Sequence, residues 1–138
     1  MTIAGKETAA GSAKDRALVV DDCADLRKLF CLMLDELGFD AIEAANAHVA
    51  LAILDTAGPF DLLLTDVTMP GSIDGSLLAS MAMRRYPGMA IVVTTALPGE
   101  SLEALPEEIA LLPKPFYLTE LASYIERARG RSSGAPPR

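Results

Sequence analysis

The chain has 138 residues, with 12 Lys and Arg against 19 Asp and Glu, for a formal net charge of −7. Half of it is apolar (51%) and 22% is charged, which suits one packed domain and excludes a disordered polymer. The longest uncharged apolar runs, such as Ala17 to Val20 and Leu62 to Leu64, fall far short of the roughly 20 residues that cross a bilayer, so no membrane contact is expected.

Residues 1–15 are rich in Ala, Gly, Thr and Ser without periodicity, and GRSSGAPPR at 130–138 is rich in Gly, Ser and Pro. Both read as mobile tails around one domain over 16–129. Inside it, short apolar runs alternate with segments of helical period. The runs are ALVV at 17–20, a weaker DAIEA at 40–44, DLLLT at 61–65, AIVVTT at 90–95 and IALL at 109–112, which predicts five strands.

After the first strand, Leu26, Leu29, Phe30, Met33 and Leu37 recur at helical spacing, and Gly38 is placed to close that helix. Asn46 is positioned to cap a second helix carrying Val49, Ala52 and Ile53, which ends at Gly58 and Pro59. Asp74 or Ser76 opens a third, with Leu77, Leu78 and Met81, stopped by Pro87. Between Leu97 and Glu108, Pro98, Gly99 and Pro106 predict a short or irregular fourth helix. Leu118, Leu121, Ala122, Ile125 and Ala128 form the stripe of the last one. Strands apolar on both faces, alternating with helices, imply a parallel sheet covered on both sides: an α/β, doubly wound fold.

Cys23 and Cys31, if on one helix, lie about 12 Å apart, beyond disulfide reach, and read as small core residues. The lone His48 reads as a surface side chain, and the usual zinc ligand sets are excluded. The N-terminal stretch lacks the pattern of a secretory signal, which points to a cytoplasmic protein. Without the segments 1–16 and 127–138 the chain keeps 5 basic and 17 acidic residues, a net −12 that repels phosphate backbones. Direct DNA binding is not expected.

The polar residues that interrupt the apolar runs share one place in each unit. Asp21 and Asp22 follow ALVV, Asp66 follows DLLLT, Thr94 and Thr95 end AIVVTT, and Lys114 follows IALLP. In a parallel sheet these carboxyl ends share an edge, and ligands bind where the strand order reverses; in a 2-1-3-4-5 order that is between strands one and three. Two carboxylates about 5 Å apart repel by roughly 3 kcal/mol at an effective dielectric of 20. A hard divalent cation with oxygen ligands relieves that repulsion, and Mg2+ suits a site of carboxylates, waters and phosphate oxygens. Lys114 adds a positive charge and Thr95 a hydroxyl, completing a phosphoryl pocket.

These motifs resemble the receiver domains of two-component response regulators: LVVDD at 18–22, LLLTDVTMPG at 62–71 with DG at 74–75, IVVTTA at 91–96 and LLPKPF at 111–116. The 44-residue step from Asp22 to Asp66 matches the family spacing, and the resemblance spans residues 16–128. It implies a flavodoxin-like five-stranded sheet and a phosphoacceptor role for Asp66, which would take a phosphoryl group from a histidine. It further implies that Asp21, Asp22 and Asp66, with the backbone carbonyl of Thr68, hold Mg2+. Lys114 would pair with Asp66 or its phosphoryl oxygens ahead of a cis bond to Pro115, and Thr95, favoured over Thr94, would be the switch hydroxyl.

The partners so implied are a histidine kinase or histidine phosphotransfer protein and a downstream protein target, with the chain a monomer or weak dimer. No enzyme activity is expected beyond self-phosphorylation from a phospho-donor and autodephosphorylation. No output domain fits in the remaining residues, so a single-domain regulator or phosphoryl shuttle is expected. The chain departs from the family at Leu111, where many receivers carry an aromatic rotor, and in the segment holding Pro98 and Pro106, which affects the output face. Two alternatives stand beside this reading. One is an unphosphorylated pseudo-receiver that binds proteins. The other is an aspartate-nucleophile phosphatase, which normally has a second acid where this chain has Thr68.

Overall fold

The computed structural model of the chain describes residues 14–69, 73–96 and 109–132. Strands and helices alternate in it: β1 (Asp15–Val20), α1 (Ala24–Glu36), β2 (Phe39–Ala44), α2 (Ala47–Ala57), β3 (Leu62–Asp66), α3 (Gly75–Arg85), β4 (Ala90–Thr95), β5 (Ala110–Pro113) and α4 (Leu118–Ser132). All strand pairs are parallel and the sheet order is β2-β1-β3-β4-β5, the expected 2-1-3-4-5 of a doubly wound α/β fold. The expected irregular helix at 97–108 and most of both expected tails lie outside the described residues.

Central strands are apolar throughout because both their faces are covered: every residue of β3 and β4 is buried. Leu18, Val20, Leu63, Ile91 and Val93 pack under Ala47, Ala50 and Leu54 of α2 and Leu78, Ala79 and Ala82 of α3. Ala17, Val19, Leu62, Leu64, Val92 and Leu112 pack under Phe30 and Leu34 of α1 and Leu121, Ile125 and Ala128 of α4. Each fully buried Leu or Val contributes about 1.5–3 kcal/mol, so this two-sided core dominates the stability.

Helix ends follow the sequence signals. Asn46 accepts from the Val49 N–H at 2.9 Å and Asp74 from the Leu77 N–H at 3.0 Å, so Asp74 and not Ser76 is the third cap. Gly38 closes α1 at φ 92°, a left-handed conformation that a Cβ would strain. Past α2, Gly58 and Pro59 are joined by a cis bond. There the Arg16 guanidinium donates to the carbonyls of Ala57 (2.5 Å) and Pro59 (3.1 Å) and lies 4.3 Å above the Phe60 ring.

Three helices turn a different arc to the sheet than the largest apolar residues suggest. On α1 the buried pair is Phe30 and Leu34, while Leu29 is exposed. On α2 the buried residues are Ala47, Ala50 and Leu54, with Val49 and Ala52 outward. On α3 Leu77 is outward and Leu78, Ala79 and Ala82 face in. The physical reason is close packing: alanines let a helix lie against the β-branched and leucine surface of the sheet, and the wide apolar arc leaves larger residues at its margin. Both cysteines are free thiols: Cys31 is half-buried and packs against the core, whereas Cys23 is exposed and is not the core residue expected. His48 is exposed, as expected. Among the described residues no helix is long and apolar enough to cross a membrane.

Candidate functional site

Parallel pairing carries the polar strand ends to a single edge. Val20 pairs with Thr65, Asp66 with Thr94, and Thr95 with Pro113, so Asp21, Asp66, Thr94, Thr95 and Lys114 emerge side by side. The Asp21 carboxylate bends back to accept the Cys23 N–H at 2.9 Å, which starts α1.

Asp21 is 1% exposed, Asp66 is buried and Asp22 faces solvent. Oxygens of all three lie within 4.8 Å of one another. Lys114 pairs with two of them, its Nζ sitting 3.3 Å from Asp21 Oδ2 and 3.5 Å from Asp66 Oδ1. The Lys114 N–H donates to the Thr95 carbonyl at 2.7 Å, and its bond to Pro115 is cis.

Burial pushes the Asp66 carboxyl above its usual range; the Lys114 charge opposes this, Asp21 adds to it, and a backbone bond from Thr68 opposes it. Three carboxylates facing one ammonium leave a net negative charge when all are ionised. The donor set consists of hard oxygens, which fits a small divalent cation and not a soft metal.

The end of β3 is held by an unusually close approach. Gly75 begins α3 with its N–H 3.0 Å from the Val67 carbonyl, and a Cβ there would lie 1.7 Å from the Asp66 carbonyl oxygen. Glycine is required by that contact. Met69 and Met89 are buried packing residues, and Arg84 and Arg85 are exposed.

One contributor escaped the sequence reading. Arg27 donates from Nη1 to the Asp21 carbonyl at 2.8 Å and from Nε to Glu43 at 2.9 Å, bracing the loop after β1 against β2. The available signal was a cation placed just inside α1, one turn past the acidic pair. The outward turn of Leu29 also has local meaning. With Leu26, Phe30, Pro115 and Phe116 it lines a groove of about 430 Å³ that opens beside Lys114. A larger groove of about 530 Å³ lies at the opposite sheet edge, beside Leu54, Phe60 and Tyr86, and none of Asp21, Asp22 and Asp66 lines it.

A family model described as the response regulator receiver domain matches residues 17–126. The response regulator receiver protein CpdR of Brucella abortus is 32% identical over 115 residues, which cover 81% of this chain and 94% of that protein. A response regulator receiver protein from Sinorhizobium medicae superposes with a TM-score of 0.78 at 23% identity, covering 86% of this chain and 97% of that one. Response regulator TrrA of Thermotoga maritima, solved in complex with Mg2+ and BeF, superposes at 0.70 with 29% identity, covering 83% and 98%.

Proposed function

This chain belongs to the response regulator receiver domain family, and from that premise we propose that it is a phosphoacceptor that takes a phosphoryl group onto Asp66. The observation that carries the reading is the meeting of Asp21, Asp22 and Asp66 around one lysine at the sheet edge. A metal-free structural role offers no reason to gather three acids there, whereas a phosphoryl site uses all of them.

Asp21, Asp22 and Asp66, with the backbone carbonyl of Thr68, are the groups that would hold Mg2+. When bound, the ion neutralises charge on the oxygens of the transferring group. An Asp66 oxygen attacks the phosphorus of a phosphohistidine; the P–O bond forms as the P–N bond breaks, and the imidazole nitrogen keeps the electron pair and takes up a proton. Lys114, already within 3.5 Å of Asp66, turns its ammonium to the incoming phosphoryl oxygens, and the Thr95 hydroxyl donates to them. Hydrolysis of the acyl phosphate later returns Asp66.

The donor is a histidine kinase or a histidine phosphotransfer protein, and a cytoplasmic location follows from that partnership. The chain acts as a stand-alone domain that passes its signal by contact with a downstream protein, a reading supported by its match to nearly all of CpdR. Leu111, half-buried against the α2 and α3 side of the core, stands where an aromatic rotor would, so the signal travels without ring rotation.

The test is intact mass after incubation with Mg2+ and a small acyl phosphate. Wild type gains the mass of one phosphoryl group, Asp66→Ala gains none, and Lys114→Ala is slowed at least tenfold. A wild-type chain that stays unmodified would instead be a protein-binding module of the same fold.

A further inference from the structure

Across the acidic edge, the face that packs on α1 and α4 carries a row of neighbours. Residues paired in a parallel sheet point to the same side, and the side alternates along each strand. Ala90 and Val92 of β4 share the core with Leu62 and Leu64 of β3, so the next residues on that side are Thr94 and its partner Asp66. The Lys114 ammonium spans the same row, touching Asp66 and Asp21. Thr94 therefore stands one strand spacing, about 4.8 Å, from the acceptor aspartate, on the acceptor's own side. Thr95 belongs to the opposite side of β4.

Thr94 is 1% exposed, and its hydroxyl has no hydrogen-bond partner among the described residues. A buried hydroxyl without a partner costs about 1–3 kcal/mol relative to one that is bonded. Valine has the same shape and is a favoured strand residue, so packing alone offers no reason for the hydroxyl. The free Asp66 carboxylate leaves Thr94 unbonded while it is held by Lys114 on one side and the Thr68 N–H on another. Attachment of a phosphoryl group removes the carboxylate charge and gives Lys114 new oxygens to face, which leaves a lone pair on the remaining carboxyl oxygen able to accept a further donor beside the Mg2+ it would help to hold.

We propose that Thr94 is a positioning residue for the modified state: its hydroxyl is held unbonded beside the free carboxylate and donates to the carboxyl oxygen of Asp66 once a phosphoryl group is attached. The inference rests on the phosphoacceptor reading of Asp66 and deepens it. It is separate from the switch role proposed for Thr95. Energetically, Thr94 works by differential bonding: it penalises the free state and rewards the modified one, and so biases the equilibrium between them.

The test titrates beryllofluoride, a tetrahedral phosphoryl mimic, in Mg2+ on wild type, Thr94→Val and Thr94→Ser, and records the melting temperature of each free protein. Thr94→Val is expected to melt at least about 3 °C above wild type when free, because an unbonded hydroxyl is gone. It is expected to bind beryllofluoride about tenfold more weakly, because a bond is missing from the complex. Thr94→Ser restores wild-type binding. Equal beryllofluoride binding by wild type and Thr94→Val overturns this role and leaves the phosphoacceptor reading standing. A free Thr94→Val less stable than wild type overturns it as well, since the hydroxyl would then have a partner. A wild type that binds no beryllofluoride overturns both.

Discussion

Gly75 lies so close to Asp66 that a Cβ on it would sit 1.7 Å from the Asp66 carbonyl oxygen and 2.7 Å from its carbonyl carbon. The obstacle is backbone, which cannot swing aside as a flexible side chain would. Overpacking a core costs about 1–3 kcal/mol even when side chains can shift. Gly75→Ala is therefore expected to destabilise the fold by at least about 3 kcal/mol in urea unfolding. The surviving folded fraction should phosphorylate poorly, because α3 can start only if β3 moves. A variant within about 0.5 kcal/mol of wild type would contradict that contact.

Asp66 is held in an uncomfortable state. Burial pushes its carboxyl above the ordinary 3.8, so the folded chain keeps that proton to higher pH than the unfolded chain does. The associated stability is complete below about pH 3.8 and is lost as pH rises through the folded value. Asp66→Asn cannot ionise, and in EDTA it should melt above wild type at about pH 7, with the gap narrowing towards pH 4. A gap that widens on acidification would show the opposite shift.

Arg16 closes the C-terminal end of α2 through two carbonyls while covering the Phe60 ring. Both bonds leave from Nη1 while the guanidinium covers the ring, and a lysine ammonium can replace the bonds but not the flat group over Phe60. Arg16→Lys should lose about 1 kcal/mol and Arg16→Ala about 2 kcal/mol by denaturant titration. Phosphoryl uptake should be unchanged, because this corner lies at the far end of the sheet. Equal stability of all three proteins would remove Arg16 as a cap.

The two thiols differ sharply. Burial, with Glu43 adding to it, pushes the Cys31 thiol from 9.0 up to about 11, while Cys23 is exposed beside the acidic edge. Iodoacetamide at about pH 8 is expected to label Cys23 and spare Cys31 until the protein is unfolded. The stability contributed by the protonated Cys31 should fall away as pH rises from 9 towards 11, since the unfolded chain loses that proton first. Labelling of Cys31 ahead of Cys23 in the native protein would refute this order.

Much of the architecture was legible because it depends on local pattern. Both-face apolar runs at Leu62 and Ala90 identify central parallel strands, Asn46 and Asp74 identify helix starts, and Gly38 identifies a helix end. The helix faces were not legible. Val49 and Leu77 are as apolar as the residues buried beside them, and only the sheet decides that Ala50 and Ala79 make the contact. Cys23 was misplaced for a related reason: it precedes α1 at the exposed helix start, while Cys31 within the helix does pack against the core.

By itself, the chain's order of residues determined which chemistry meets at the edge. The strands β1, β3, β4 and β5 each run into an acid, a threonine or a lysine, and parallel strands must end together. What only the tertiary structure decided is register and environment. It set Thr94 rather than Thr95 opposite Asp66, Lys114 between two aspartates, Arg27 behind Asp21 and Gly75 against the acceptor strand. The cause is that a one-residue change in strand pairing reverses every side chain it touches, and pairing is chosen by packing across the whole sheet and not by any segment alone.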